Sequence, residues 1–190
     1  MKSLVKELDG TKESIRDALQ EAEYYSTLSG FGKEQVLQIR LLSEEMIGMA
    51  TEVLSLSDGA FWIEIKENTV QICLSAELQV GEEARKKLLS VSSTGEDVLY
   101  QGIKGKIHQA LDMMAFPGSD LVLTSDCNGF IQYGMISEWS LQQYRESVKR
   151  DKKALEWDEL EKSILGKLSD DVRVGVLSNR VEITISKTFE

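Results

Sequence analysis

Two short stretches of strict alternation constrain this chain more than anything else in it. Phe61, Ile63 and Ile65 alternate with Trp62, Glu64 and Lys66, a turn falls at Glu67-Asn68, and Val70, Ile72 and Leu74 alternate again. Near the end, Val172, Val174 and Val176 precede a turn at Ser178-Asn179, and Val181, Ile183 and Ile185 follow it. A side-chain period of two puts each apolar set on one face of a strand, so both stretches read as β-hairpins. Trp62 then faces away from Phe61, Ile63 and Ile65, and something other than the main helix layer, such as an insert or a partner subunit, has to cover it.

Helical spacing fills much of the rest. Residues 3 to 9 carry Leu4, Val5 and Leu8 and read as an edge strand before Gly10. Thr11 stands where an N-cap belongs, and Ile15, Ala18, Leu19 and Ala22 recur at helical spacing up to Gly30-Phe31-Gly32. From Lys33 to about Leu56, Val36, Ile39, Leu42, Met46, Met49, Ala50 and Val53 make a second stripe. Residues 79 to 101 are polar, with a short helical run around Ala84, Leu88 and Leu89 and then a mobile loop at Ser90 to Gly95, and Gly102-Ile103-Lys104-Gly105 opens another helix with Ile107, Ala110, Leu111 and Met114. Residues 119 to 133 have a poor pattern, with a short strand at Leu121 to Thr124. Helical spacing returns at 137 to 149 and at 154 to 168, where Leu155, Leu160, Ile164, Leu165 and Leu168 share a face. Helices set apart from the strands give an α+β fold: a two-layer sandwich, with helices on one face of a mixed, largely antiparallel sheet.

Composition narrows the function classes. The 190 residues hold 22 Lys and Arg against 32 Asp and Glu, a net charge of −10, with the basic residues scattered. Such a chain lacks the basic stripe that tracks phosphates, so nucleic acid is not an expected partner. No apolar run approaches the ~20 residues that span a bilayer, and the first residues carry no apolar signal core. Cys73, Cys127 and the lone His108 are too few and too scattered for a zinc site. The expected location is the cytoplasm, with neither export nor membrane insertion.

The order of elements, with Leu42-Ser43-Glu44-Glu45-Met46-Ile47-Gly48 on the second helix and a hairpin directly after it, resembles the GHKL ATPase domain of bacterial anti-sigma factors and sensor histidine kinases. The resemblance spans residues 1 to 190 as one domain, with an insertion at about 113 to 168. It implies a Glu on the second helix that acts as base or polarising group, here Glu44, and a magnesium-binding Asn four residues on. Gly48 stands there and offers no side-chain oxygen to a hard cation. The family also closes the second hairpin strand with an Asp that accepts from the adenine amino group. Ala76 holds that position, and Glu77 reaches the role only through a one-residue slip that turns the strand over. The family's glycine box, where backbone amides cradle phosphate, has a partial counterpart in Gly102 and Gly105.

These substitutions imply a regulatory protein-binding module with a degenerate nucleotide site, similar to anti-sigma factors, with Glu44 as its one catalytic candidate. No metal and no cofactor is expected; the partner is another protein, of a sigma-like kind, and anti-sigma factors of this type pair as homodimers. The runner-up is an ATP-binding protein or serine kinase in which Glu44, Glu77 and the Gly102 to Gly105 turn hold ATP and magnesium in an altered geometry. A third reading is an unrelated small-molecule-binding α+β domain. Against these stand plainer roles: a solvated surface glutamate for Glu44, helix-to-sheet packing for Gly48, and an exposed helix position for His108.

Overall fold

The computed structural model describes residues 2–54, 56–77, 103, 105–107, 110–111, 130–133, 136–151, 163–177 and 180–190. Strand β1 (Lys6–Leu8) leads into helices α1 (Lys12–Leu28) and α2 (Lys33–Val53), then strands β2 (Gly59–Lys66) and β3 (Thr69–Glu77). Strands β4 (Phe130–Tyr133) and β5 (Ile136–Ser140), helices α3 (Leu141–Asp151) and α4 (Ile164–Leu168), and strands β6 (Asp171–Leu177) and β7 (Arg180–Thr188) follow.

Local chemistry sets the first turn of the chain. Thr11 caps α1 by accepting from the Ser14 N–H at 3.2 Å, which satisfies one of the amides a helix start leaves free. Gly10, just before it, has φ +80, and a Cβ there would lie 2.8 Å from the Leu56 carbonyl oxygen. Only glycine combines that backbone angle with so close an approach. At the next helix start, the Gly32 N–H donates to Gln35 Oε1 at 2.9 Å.

Seven strands form one sheet in the order β1-β2-β3-β7-β6-β5-β4. The two hairpins sit side by side at its centre, with Ile72 opposite Ile63 and Ile185, and Val174 opposite Ile183. Helices pack on one face, as the alternation predicts; every pairing between described strands is antiparallel, with no parallel pair to make the sheet mixed. The inward residues Phe61, Ile63, Ile72, Leu74, Val174 and Ile183 are all fully or almost fully buried and share one core with Ile39, Leu42, Met46 and Ala50 of α2. Each such side chain contributes about 1.5–3 kcal/mol through burial. The described residues between Ile103 and Leu111 are helical and add Ile103, Ile107, Ala110 and Leu111 to the same core.

Three local expectations change. The edge strand is shorter than residues 3 to 9: Leu8 is buried, whereas Leu4 and Val5 are exposed. Residues 137 to 140 are strand, not helix, because β5 pairs with β6 and buries Trp139 opposite Val174. Helix α3 begins at Leu141, where the Asp171 carboxylate takes the Gln142 N–H at 3.0 Å. Over 154 to 168 a single helix does not form, since Ser163 is extended (φ −75, ψ 140) and caps α4 by accepting from the Gly166 N–H. Ile164 is consequently exposed while Leu165 is buried, so they share no face. The expected helical run around Ala84, Leu88 and Leu89, the loop at Ser90 to Gly95 and the strand at Leu121 to Thr124 lie outside the described residues.

Candidate functional site

Helix α2 carries the first two positions that the family resemblance picks out. Its core side is Ile39, Leu42, Ser43, Met46, Ile47, Met49 and Ala50. Glu44 and Gly48, four residues apart, are exposed and belong to the opposite side together with Leu37 and Leu41. Among the described residues, a Cβ built on Gly48 would meet no atom within 4 Å. Gly48 is exposed, and among the described residues none packs closely on it, so the helix forgoes a side chain there at a propensity cost of about 1 kcal/mol.

The sheet carries the next two. Ala76 is fully buried on the helix-covered face of β3, opposite Gly59 and Val181. Glu77 follows at the strand end, exposed and on the other face, opposite Arg180. Ala76 and Glu77 thus do not line one pocket, and neither lies on the side of α2 that bears Glu44 and Gly48. Gly105 is buried within helical backbone. Gly102, His108, Cys127 and Trp157 lie outside the described residues.

The described residues do not fit the family's ligands. Magnesium needs oxygen donors at near-octahedral positions, and residue 48 has no side chain. Adenine needs an acceptor at the strand end, and residue 76 presents a buried methyl group. Among the described residues no group of three or more His, Cys, Asp or Glu is arranged to hold a metal.

The face of the sheet that carries no helix among the described residues holds a shallow groove of about 490 Å³ bounded by Glu64, Gln71, Cys73, Glu138, Arg173 and Glu182. Trp62 lies on this face; its Nε1 donates to Glu64 Oε1 at 2.9 Å, and Lys2 Nζ sits 4.3 Å from the ring centroid. The N-terminal arm thus supplies cover for Trp62, a contact between residues 60 positions apart that alternation alone does not disclose. Arg173 Nε lies 3.0 Å from Asp171 Oδ2 and 3.7 Å from Glu138 Oε1.

Cys73 is buried in this groove. Burial pushes its thiol up from 9.0 to about 11, with the Thr184 hydrogen bond opposing. A thiol is nucleophilic only as thiolate, and at pH 8 that shift lowers the thiolate population about a hundredfold. In a Cys127→Ser variant, an aromatic disulfide reagent should therefore label Cys73 at least about a hundredfold more slowly in the native protein than in urea. Equal rates would show that the thiol is open and ionised.

The sequence alone missed the cluster around Asp171. This carboxylate accepts from Ser140 Oγ, the Gln142 N–H and Arg173 Nε, each at 3.0 Å. Arg145 of α3 donates to the carbonyls of Asp170 at 2.9 Å and Gly166 at 2.6 Å. Both are joints that fasten α3 to the sheet and to α4. No family model, no curated protein and no solved structure matches the chain.

Proposed function

We propose that this chain is a regulatory protein-binding module on a GHKL-like arrangement, one that acts on another protein by contact, in the manner of an anti-sigma factor, and does not phosphorylate it. The observation that carries this reading is the exposed, side-chain-free Gly48 beside Glu44, where the resemblance calls for a magnesium-binding Asn. The buried Ala76 supports it, since an adenine amino group finds no acceptor there. A bacterial cytoplasmic location belongs to the same reading: no described helix is long and apolar enough to cross a membrane, and Cys73 is a free thiol.

The thermal midpoint in millimolar ATP or ADP with magnesium tests it. A ligand present at 100 times its Kd adds about 2.7 kcal/mol, which raises the midpoint of a chain of this size by roughly 5–10 °C. No rise is expected here. A rise of that size that Glu44→Ala abolishes would replace this reading with that of a nucleotide-binding protein.

A further inference from the structure

We propose that the outward surface of the α1–α2 hairpin docks an amphipathic helix of a partner protein, one that carries Lys or Arg beside its apolar stripe. This rests on the protein-binding reading and names its surface and the chemistry of its partner. Large apolar side chains on the solvent side of a helix are the departure to explain, because that side is normally polar. Seven large hydrophobic residues are exposed among the described residues, and four of them lie on these two helices: Tyr24 at 65%, Leu28 at 67%, Leu37 at 56% and Leu41 at 37%. They recur four residues apart on each helix, so each pair makes a ridge one turn long.

The two ridges belong to one surface. Helix α2 folds back on α1, and Arg40 Nη1 meets Glu23 Oε1 at 2.6 Å. Tyr24 and Leu41 each follow a member of that ion pair, and Leu28 and Leu37 stand one turn nearer the connection. Ridges flanking a seam between two helices are the shape that receives a third helix. Gly48 continues the α2 ridge, exposed and with no described atom within 4 Å of a Cβ built there, which lets a docked helix approach closely.

Charge decides the occupant. Arg16 is engaged by Glu13 and Asp17, each at 3.6 Å, and Arg40 by Glu23. Glu34 and Glu44 stand three residues outside Leu37 and Leu41 and have no ion pair among the described residues, so the leucine ridge ends in a carboxylate at both ends, beside Lys33 and the Glu23-paired Arg40. A second copy would set this acidic surface against itself in a chain of net charge −10. A partner helix with basic flanks meets both its apolar and its charged needs.

The probe is a blocked synthetic peptide of about 18 residues, five helical turns, with leucines at helical spacing and lysines flanking them. A scrambled peptide of the same composition controls for attraction to any acidic protein. Fluorescence anisotropy with the full chain at physiological salt should show the ordered peptide binding at least about tenfold tighter than the scrambled one. Leu37→Ser with Leu41→Ser should remove that preference, Glu34→Gln with Glu44→Gln should weaken it and flatten its salt dependence, and Ile164→Ser should leave it intact. Equal binding of the two peptides overturns the proposal, as does a preference that survives the leucine changes. A dimer in sedimentation that the leucine changes convert to monomer assigns the surface to a second copy and also overturns it. If the peptide fails while ATP still leaves the midpoint unmoved, this surface falls and the protein-binding reading stands; a midpoint raised by ATP removes that reading instead.

Discussion

Asp171→Ala should cost this protein about 3 kcal/mol, because it strands several polar groups at once where water has little access. Asp171 is 7% exposed. Its Oδ1 takes Ser140 Oγ and the Gln142 N–H at 3.0 Å and the Val172 N–H at 2.9 Å, while Oδ2 takes Arg173 Nε at 3.0 Å. Removing the carboxylate leaves a buried hydroxyl and the first turn of α3 without an acceptor. Asp171→Asn keeps one oxygen in place of Oδ1 and loses only the charged partner, so it should cost about 1 kcal/mol. With a urea dependence of about 2 kcal/mol/M, the two variants should lower the unfolding midpoint by about 1.5 M and 0.5 M. An Asp171→Ala midpoint within about 0.2 M of the parent would show that the cluster is decorative.

That cluster also explains which parts of the fold were readable from the residues. The hairpins at 61 to 74 and 172 to 185 were, because alternation is local and each strand buries one face against helices. Helices α1 and α2 were, because their stripes repeat over several turns with Thr11 and Gly30 as punctuation. The change from strand to helix at Ser140 and Leu141 was not, since its cause is Asp171, 31 positions further on. Local spacing over 137 to 149 favoured helix, and the long-range partner won for the first four residues. In the site, the four-residue step from Glu44 to Gly48 is local and puts both on one side of α2. Which side that was, and that Ala76 lies beneath the helices with Glu77 turned away, are properties of the packed layers.

Trp139→Ala should be the most costly single change, at about 3–5 kcal/mol. Trp139 is 2% exposed, faces Val174 across the β5–β6 pairing, and packs against the Tyr144 ring at 6.1 Å between centroids. It belongs to one contiguous set of buried residues that also holds Phe61, Ile72 and Met46. A cavity there weakens the layer beneath α3 and the neighbouring strand β6 together, and β6 is bonded directly to β7 at the centre of the sheet. Urea unfolding followed by circular dichroism and by the fluorescence of the remaining tryptophans should therefore stay a single transition, shifted to lower denaturant. Trp139→Phe, which keeps an aromatic ring in the site, should recover most of the loss. Two separated transitions in the Ala variant, with the second at the parent's midpoint, would mean that β4, β5 and α3 melt as a unit of their own. The segment from about 113 to 168 would then be an appendage to the core that the two hairpins build.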